Sequence, residues 1–404
     1  MIKIEAFPAS YGESILVTLG NDKKMNILID SGFASTYRDY IKDRLQLLSN
    51  DNQKLDLFVL THFDADHIRG GIELFKENST YEDSNIIKIE EVWMNMLRHI
   101  EFENLNIELS DKEKRALKSI ARKKYPEELY TRYIKDISST ESISLSKLIS
   151  DGGYKINKSF DNKVIMTNKE NNVINLDIGV KVTLLSPNEQ KVNILKEFWK
   201  KELLTIGLKD KICNNEEFSE AFEKFLVNVI PHMRNAILKN CSKKKDIIES
   251  IMEQDIFDED SDEVNGSSIA FILEYENKRI MFLGDCHPSV IEKELKKMGF
   301  DENNKIKIDL MKISHHGSKG NTSRDLLKII DCNKFLICTN GKRFNHPDKE
   351  VLARIIANKT NEKKEIFINY RTLTIEPFLN EELMKKYNYS IIYGEKSKSI
   401  CIEI

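Results

Sequence analysis

A chain of 404 residues can hold two average domains, or one large α/β domain carrying insertions. Its 62 basic and 65 acidic residues nearly cancel, which excludes a global field for nucleic acid or acidic membrane and leaves any polyanion to a local patch. No run of about 18 apolar residues occurs, so no membrane span is expected.

The start, MIKIEAFPASYGES, lacks the basic and long apolar regions of a signal peptide. The six cysteines form no CxxC pair and read as reduced, mostly buried thiols, so the expected location is cytoplasmic. In chain order, strands are predicted over 2–7, 14–19 and 25–30, the last ending in Asp30-Ser31-Gly32, followed by a helix over 36–48. The run 55–60 is nearly continuous in apolar residues, as for a strand buried on both faces. A further strand, 91–94, leads to Asn95 and His99.

From 101 to 160 the pattern turns helical and rich in Lys and Glu, and the run KEKRALKSIARKK reads as a solvated helix face. Strands resume over 173–178 and 181–185. A second helical block spans 188–254, with an apolar stripe at Phe218, Phe222 and Phe225, and ends in DIFDEDSDEVNG, whose acidic Gly/Ser character predicts a mobile loop. A hairpin follows, 267–275 and 279–283. Then come helix 288–298, strand 307–313, helix 322–330, strand 334–339, helix 348–358 and strand 365–369. The simplest account is one αββα core interrupted by two mainly helical insertions; the alternative is two independent domains.

Straight after strand 55–60 stands THFDADHIRGG, which packs His62, Asp64, Asp66 and His67 into six positions of a chain with 8 histidines. Alternation along an extended loop aims His62, Asp64 and Asp66 to one side, with His67 at a neighbouring point. Divalent metals need such compact sets of N and O donors. Taken alone, the stretch also reads as a charge-dense polar loop. Three further islands follow strands: Leu283-Gly284-Asp285, Ser314-His315-His316-Gly317-Ser318 and Asn345-His346-Pro347. A carboxylate ending an apolar strand needs a cation or basic partner. Each island singly is compatible with a turn; their joint occurrence at strand ends points to a metal site. Cys286, beside Asp285, reads as a packed small residue rather than a nucleophile. No P-loop, Rossmann fingerprint or GxSxG elbow competes.

On these residues the chain resembles the metallo-β-lactamase fold. HFDADH followed by GG is similar to its metal motif, in the variant with Asp at the third position. LGD, ISHHGS and the later HP, with TLLSP and NGSSIAFIL, resemble the hydrolase domain attached to competence DNA-uptake (ComEC-type) channels and its stand-alone relatives. The resemblance covers about 1–98 and 165–370. It implies an α/β fold, the αββα metallo-β-lactamase sandwich, built from 1–100, 163–187 and 263–404. The helical insertions would then be 101–162 and 188–262, the second carrying the acidic loop.

The resemblance also implies two divalent metal ions, zinc or manganese. His62 and Asp64 would hold one, Asp66 and His67 the other, with Asp285 bridging a pair about 3.5–4 Å apart. His315 would complete the ligand set of the second metal and His316 would face the substrate. His346 would sit at the pocket edge, as a proton donor or as an alternative ligand. Members usually carry one more histidine between the first island and Gly-Asp. His99 is the expected occupant, against His232 inside a helical block. Asp64 in place of a histidine makes the first site oxygen-rich, which brings manganese or iron in beside zinc.

The expected activity is that of a dinuclear metallohydrolase, with His316 and His346 catalytic. By resemblance the substrate is a phosphodiester, nucleic acid included, with Lys319, Lys342 and Arg343 binding phosphate oxygens. Two alternatives stand beside it. One is hydrolysis of another ester, a thioester or a lactam. The other is a metal-bearing subunit of a multi-protein system, such as a defence system, whose insertions dock a protein partner.

Overall fold

The computed structural model describes residues 1–100, 144–168, 172–205, 246–360, 362–395 and 398–404, with positions 110, 111, 114, 115 and 223. Phe218, Phe222, Phe225, His232 and most of 101–143 lie outside the described residues.

Two sheets are built from the short apolar runs. The first joins β1 (Ile2–Ala6), β2 (Ile15–Leu19), β3 (Met25–Ile29), β4 (Leu57–Val59) and β5 (Val92–Trp93). The second begins with an antiparallel group: β6 (Val173–Asn175), β7 (Lys181–Ser186), β8 (Ala270–Tyr275) and β9 (Lys278–Phe282). The predicted strand 307–313 is two strands in different ladders. β10 (Ile306–Ile308) pairs with β12 (Ile330–Cys332), while β11 (Leu310–Lys312) enters the second sheet beside β9. Asp309 separates them: its carboxylate accepts from the Arg279 N–H and Lys278 Nζ, each at 2.9 Å, and anchors the turn. Parallel β13 (Lys334–Ile337), β14 (Lys364–Ile368) and β15 (Tyr389–Tyr393) complete that sheet, and β16 (Ile400–Glu403) returns to pair antiparallel with β1.

Alternation along each strand makes the layers. In β8, Phe271 and Leu273 face the other sheet, while Ala270 and Ile272 face the helices; in β9, Ile280 and Phe282 point inward and Met281 outward. Val17, Ile27, Ile29 and Val59 of the first sheet meet the inward set. Helix Ala65–Asn78 and the helical run 34–50 cover the outer face of the first sheet through Ile68, Ile72, Phe75 and Leu45. Helices Pro288–Lys297, Arg324–Ile329 and Lys349–Ala357 cover the second. The result is the expected αββα sandwich. Among the described residues no helix is long and apolar enough to cross a membrane.

Elements of the two predicted insertions pack onto this core. Trp199, on helix Glu189–Thr205, is buried edge-on against Phe63 at 6.2 Å. Glu223, of the second predicted insertion, is buried and accepts from the Leu145 N–H of the first at 2.7 Å. The acidic stretch after helix Ile247–Gln254 differs from the mobile loop expected of its composition, because most of its acids have partners. Asp255 is buried between Arg354 and Arg324. Glu259 accepts from the Ser289 N–H and hydroxyl, each at 2.9 Å, and the Asp260 N–H donates to the Gly320 carbonyl at 3.0 Å. Composition registers the charges but not the counter-charges arriving from 324 and 354.

The parallel strands β3 and β4, and β9, β11 and β13, all end at one edge of the sandwich. That edge is where ligand-binding loops of layered α/β folds gather. The Ile269 N–H bonds to the Thr61 carbonyl at 2.9 Å and joins the two sheets there.

Candidate metal centre

The stretch after β4 is not the extended loop the alternation suggested. Helix Ala65–Asn78 begins at once, with Asp64 at its N-cap and Asp66 and His67 in its first turn. Carboxylates suit this position, since the helix N-terminus presents partial positive charge. Gly70 allows the helix to sit on the loop after β3: a Cβ there would stand 2.0 Å from the Ser31 carbonyl oxygen. The Ser31 N–H and hydroxyl both donate to the His67 carbonyl, at 2.7 and 2.8 Å, and fix the first turn.

From the ends of β4 and β11, four imidazoles converge on one carboxylate at the end of β9. Asp285 Oδ2 lies 3.8 Å from His62 Nε2, 3.5 Å from His67 Nε2, 3.7 Å from His316 Nε2 and 3.8 Å from His315 Nε2. Asp66 Oδ2 stands 3.4 Å from His316 Nε2, and Asp64 Oδ2 3.7 Å from His62 Nε2. Two overlapping triads have their ligand atoms within 4.8 Å of one another: His62, His67 and Asp285, and Asp66, His67 and His316.

Hydrogen bonding on the far side of each ring determines which nitrogen faces the centre. Thr61 spends its hydroxyl proton on Asp30 Oδ2 at 2.8 Å, so its oxygen accepts from His62 Nδ1–H at 2.9 Å. His67 Nδ1–H donates to Asp30 Oδ2 at 2.7 Å, and His316 Nδ1–H to the Cys338 carbonyl at 2.8 Å. The Asn321 amide donates to the Asp285 carbonyl at 3.1 Å, which leaves its oxygen, 3.0 Å away, to accept from His315 Nδ1–H. Every ring is therefore oriented with Nδ1 held from behind and Nε2 facing the centre. Among the described residues, His62, His67 and His316 Nε2 and Asp285 Oδ1 are buried without a hydrogen-bond partner. Orphaned polar atoms of this kind are costly, and divalent cations satisfy them; outer-partner support of ligating imidazoles is a regular feature of metal sites. The donor set fits a metal.

Electrostatics agree with the geometry. Burial opposes ionisation of Asp285, but the His67, His316 and His315 rings outweigh it and hold the carboxyl well below the usual range. Burial likewise opposes charge on His67, yet Asp285 and Asp30 raise it well above the ordinary imidazole value. His315 is pushed up to about 10, burial being overcome by Asp285 and Asp260. A pocket with this many carboxylates calls for positive charge, from protons or from cations. Burial pushes the Cys286 thiol up to about 12, in keeping with a packed residue rather than a nucleophile. The backbone is also strained here: His315 and His316 both take left-handed φ, 47° and 55°. Such conformations cost of order 1–3 kcal/mol each and cluster at functional sites.

The two adjacent histidines differ in burial and neighbours. His316 is the ring grouped with Asp66 and His67, and it is buried; His315 lies on the rim with its side chain 24% exposed. Left-handed φ at both residues sends their side chains to different sides, which identity alone does not reveal. His346 sits beside His315, ring centroids 5.7 Å apart, with Nδ1 3.6 Å from Asp348 Oδ2. His99, expected to fill the missing ligand position, is not brought into either triad. It ends a short 3-10 turn after β5, and its Nδ1 accepts from the Met96 N–H at 3.2 Å. Of the expected phosphate-binding residues, Lys319 and Lys342 are exposed, and Arg343 alone is held in place, through Tyr11.

Several supporting residues had no part in the sequence expectations. Asp30 and Thr61 orient two rings, although Asp30 ends an apolar strand as Asp285 does and was open to the same logic. Lys312 and Glu13 form a buried ion pair behind Asp285, hinted at in the sequence only by Lys312 as a charge inside an apolar run. Asp260 lies 3.3 Å from His315 Nδ1 and accepts from Asn265 and Asn321 at 2.9 and 3.0 Å. His287 is buried, with Lys191 Nζ donating to its Nδ1 at 2.6 Å and its Nε2 3.9 Å from Asp260.

Because Asp30 serves both His62, through Thr61, and His67 directly, Asp30→Ala should lower metal affinity about 10–100-fold, the usual cost of losing an outer partner. Chelator competition on the purified variant measures this; an affinity equal to wild type would refute the role.

Residues 9–126 match the family model of the Metallo-beta-lactamase superfamily. The matched segment holds the first triad's His62 and His67, whereas Asp285 and His316 lie beyond it. A search of curated proteins finds no match.

Proposed function

We propose that the chain is a dinuclear metal-dependent hydrolase acting on phosphodiester bonds. The observation that carries the metal reading is the convergence of three buried, partnerless Nε2 atoms on Asp285, each with its Nδ1 held from behind. In this reading His62, Asp64 and Asp285 hold one ion, and Asp66, His67, His316 and Asp285 the other. Bound divalent ions would supply Lewis-acid activation and charge neutralisation. The remaining steps fall to the chain. His315 stands at the rim with Nδ1 held by Asn321 and Asp260, and the Asp260 carboxylate stabilises its imidazolium. It is placed to give a proton to the leaving oxygen, help usually worth about 10²–10⁴-fold in rate.

The match to a superfamily composed mostly of metal-dependent hydrolases supports the reaction class. The likeness of LGD and SHHGS to the competence-type branch supports a phosphodiester. Packing of Trp199 and Lys191 beside the centre favours the enzyme over a docking subunit, since the second insertion then helps wall the pocket.

Elemental analysis joined to turnover tests this reading. Purified protein should carry close to two zinc or manganese ions per chain. It should cleave bis(p-nitrophenyl) phosphate in preference to p-nitrophenyl acetate or a chromogenic lactam, lose activity to chelators and regain it with metal. Metal at background level, or turnover confined to the carbonyl substrates, would refute it.

A further inference from the structure

Arg343 is the feature that the metal centre leaves unexplained. Its guanidinium sits 5.0 Å from the ring centroids of both Tyr11 and Phe344, and its Nη1 donates to the Tyr11 hydroxyl at 2.6 Å. Other arginines removed wholly or partly from solvent pair with acids: buried Arg354 and half-buried Arg324 with Asp255, half-buried Arg44 with Glu5. Arg343 has no carboxylate partner among the described residues. Two aromatic faces and a neutral hydroxyl grip it instead, which fixes its position without neutralising its charge.

Its surroundings lead to the centre. Phe344 stacks on His346 at 5.9 Å and 30°, and His346 adjoins His315. Tyr11 meets Phe33 and Phe344 edge-on, at 4.7 and 6.0 Å. The chain just after Tyr11 is pressed against Asp66: a Cβ on Gly12 would stand 2.2 Å from the Asp66 carbonyl oxygen, and the Glu13 N–H donates to that same oxygen at 3.1 Å. The Tyr11 oxygen accepts from Arg343, so its own O–H remains for another acceptor.

We infer that Tyr11 and Arg343 form an anion clamp at the mouth of the metal centre. Arg343 holds a permanent negative charge of the substrate, and the Tyr11 hydroxyl donates to an oxygen of the same group. This rests on the hydrolase reading and sharpens it: the substrate is an anionic phosphate diester rather than a neutral ester. Water enters at phosphorus, the P–O bond to the leaving alcohol breaks, and neither Tyr11 nor Arg343 exchanges a proton. Arg343 acts in the ground state, because the charge it binds is already present. Tyr11 acts mainly as charge builds on the transferred group.

The test uses metal-loaded protein and two substrates with one leaving group: bis(p-nitrophenyl) phosphate, an anion, and its neutral methyl triester. Wild type should prefer the anion. Arg343→Ala should raise KM for the diester roughly tenfold, as expected for loss of a charge-assisted hydrogen bond, and reduce the diester-to-triester preference by a similar factor; Arg343→Lys should recover part. Tyr11→Phe should lower kcat on the diester about 10–100-fold with little change in KM and unchanged metal content. Inorganic phosphate should bind Arg343→Ala about tenfold more weakly than wild type, and Tyr11→Phe nearly as tightly as wild type. A preference for the triester, or a preference and phosphate affinity untouched by Arg343→Ala, would overturn the clamp. Absence of turnover on both substrates would instead remove the hydrolase reading, with the phosphate affinities still deciding the clamp.

Discussion

Asp285→Asn should empty both proposed metal positions and abolish turnover while leaving the fold intact. The amide keeps the size of the side chain but loses the charge on which four Nε2 atoms converge at 3.5–3.8 Å. Two unit charges about 4 Å apart interact by roughly 4 kcal/mol at an effective dielectric of about 20, about a thousandfold in affinity. Because this carboxylate adjoins both triads, the loss should be shared and not confined to one ion. Metal content per chain, chelator-competition affinity and circular dichroism on the same sample test this. A variant with full metal and full activity would exclude Asp285 from the centre.

The second large effect concerns stability. Lys312 and Glu13 are fully buried partners, and Lys312 Nζ also donates to the Gly284 carbonyl at 3.0 Å and lies 4.0 Å from Asp285 Oδ1. Burial alone would lower the Lys312 pKa, but Glu13 and Asp285 reverse this and hold the amine charged. Lys312→Met strands two buried carboxylates, Glu13 and Asp285. Breaking a buried pair on one side typically costs about 3–5 kcal/mol. Denaturant unfolding of metal-free protein should show a loss of that size, and the double variant Lys312→Met, Glu13→Gln should lose less than the sum of the singles. Simple additivity would mean that the two groups are not coupled.

Local pattern carried much of the architecture. Runs such as ILVTL, MNILI and RIMF alternate or saturate with apolar residues, and each is a strand within a residue or two of its predicted bounds. The ligand candidates His62, Asp64, Asp66, His67, Asp285, His315 and His316 were equally legible, since each follows an apolar strand closely, and strand ends present side chains to a common edge. Beyond 370 nothing was assigned, although β15 and β16 there extend both sheets, because edge strands show only a short and weak alternation.

The sequence by itself determined which residue types stand at which strand ends, because hydrophobic periodicity and polar punctuation are properties of neighbours along the chain. Only the tertiary structure decided which of them meet. It put His316 rather than His315 beside Asp66, kept His99 on its own backbone, tied the acidic loop down through Arg354 and to His315 through Asp260, and brought Tyr11 to Arg343 across more than three hundred positions. These outcomes depend on left-handed backbone at two adjacent histidines, on counter-charges supplied from distant segments, and on which ring nitrogen is held from behind. None of these has a signature in local composition, since each arises from free-energy terms between groups that the folded chain alone makes neighbours.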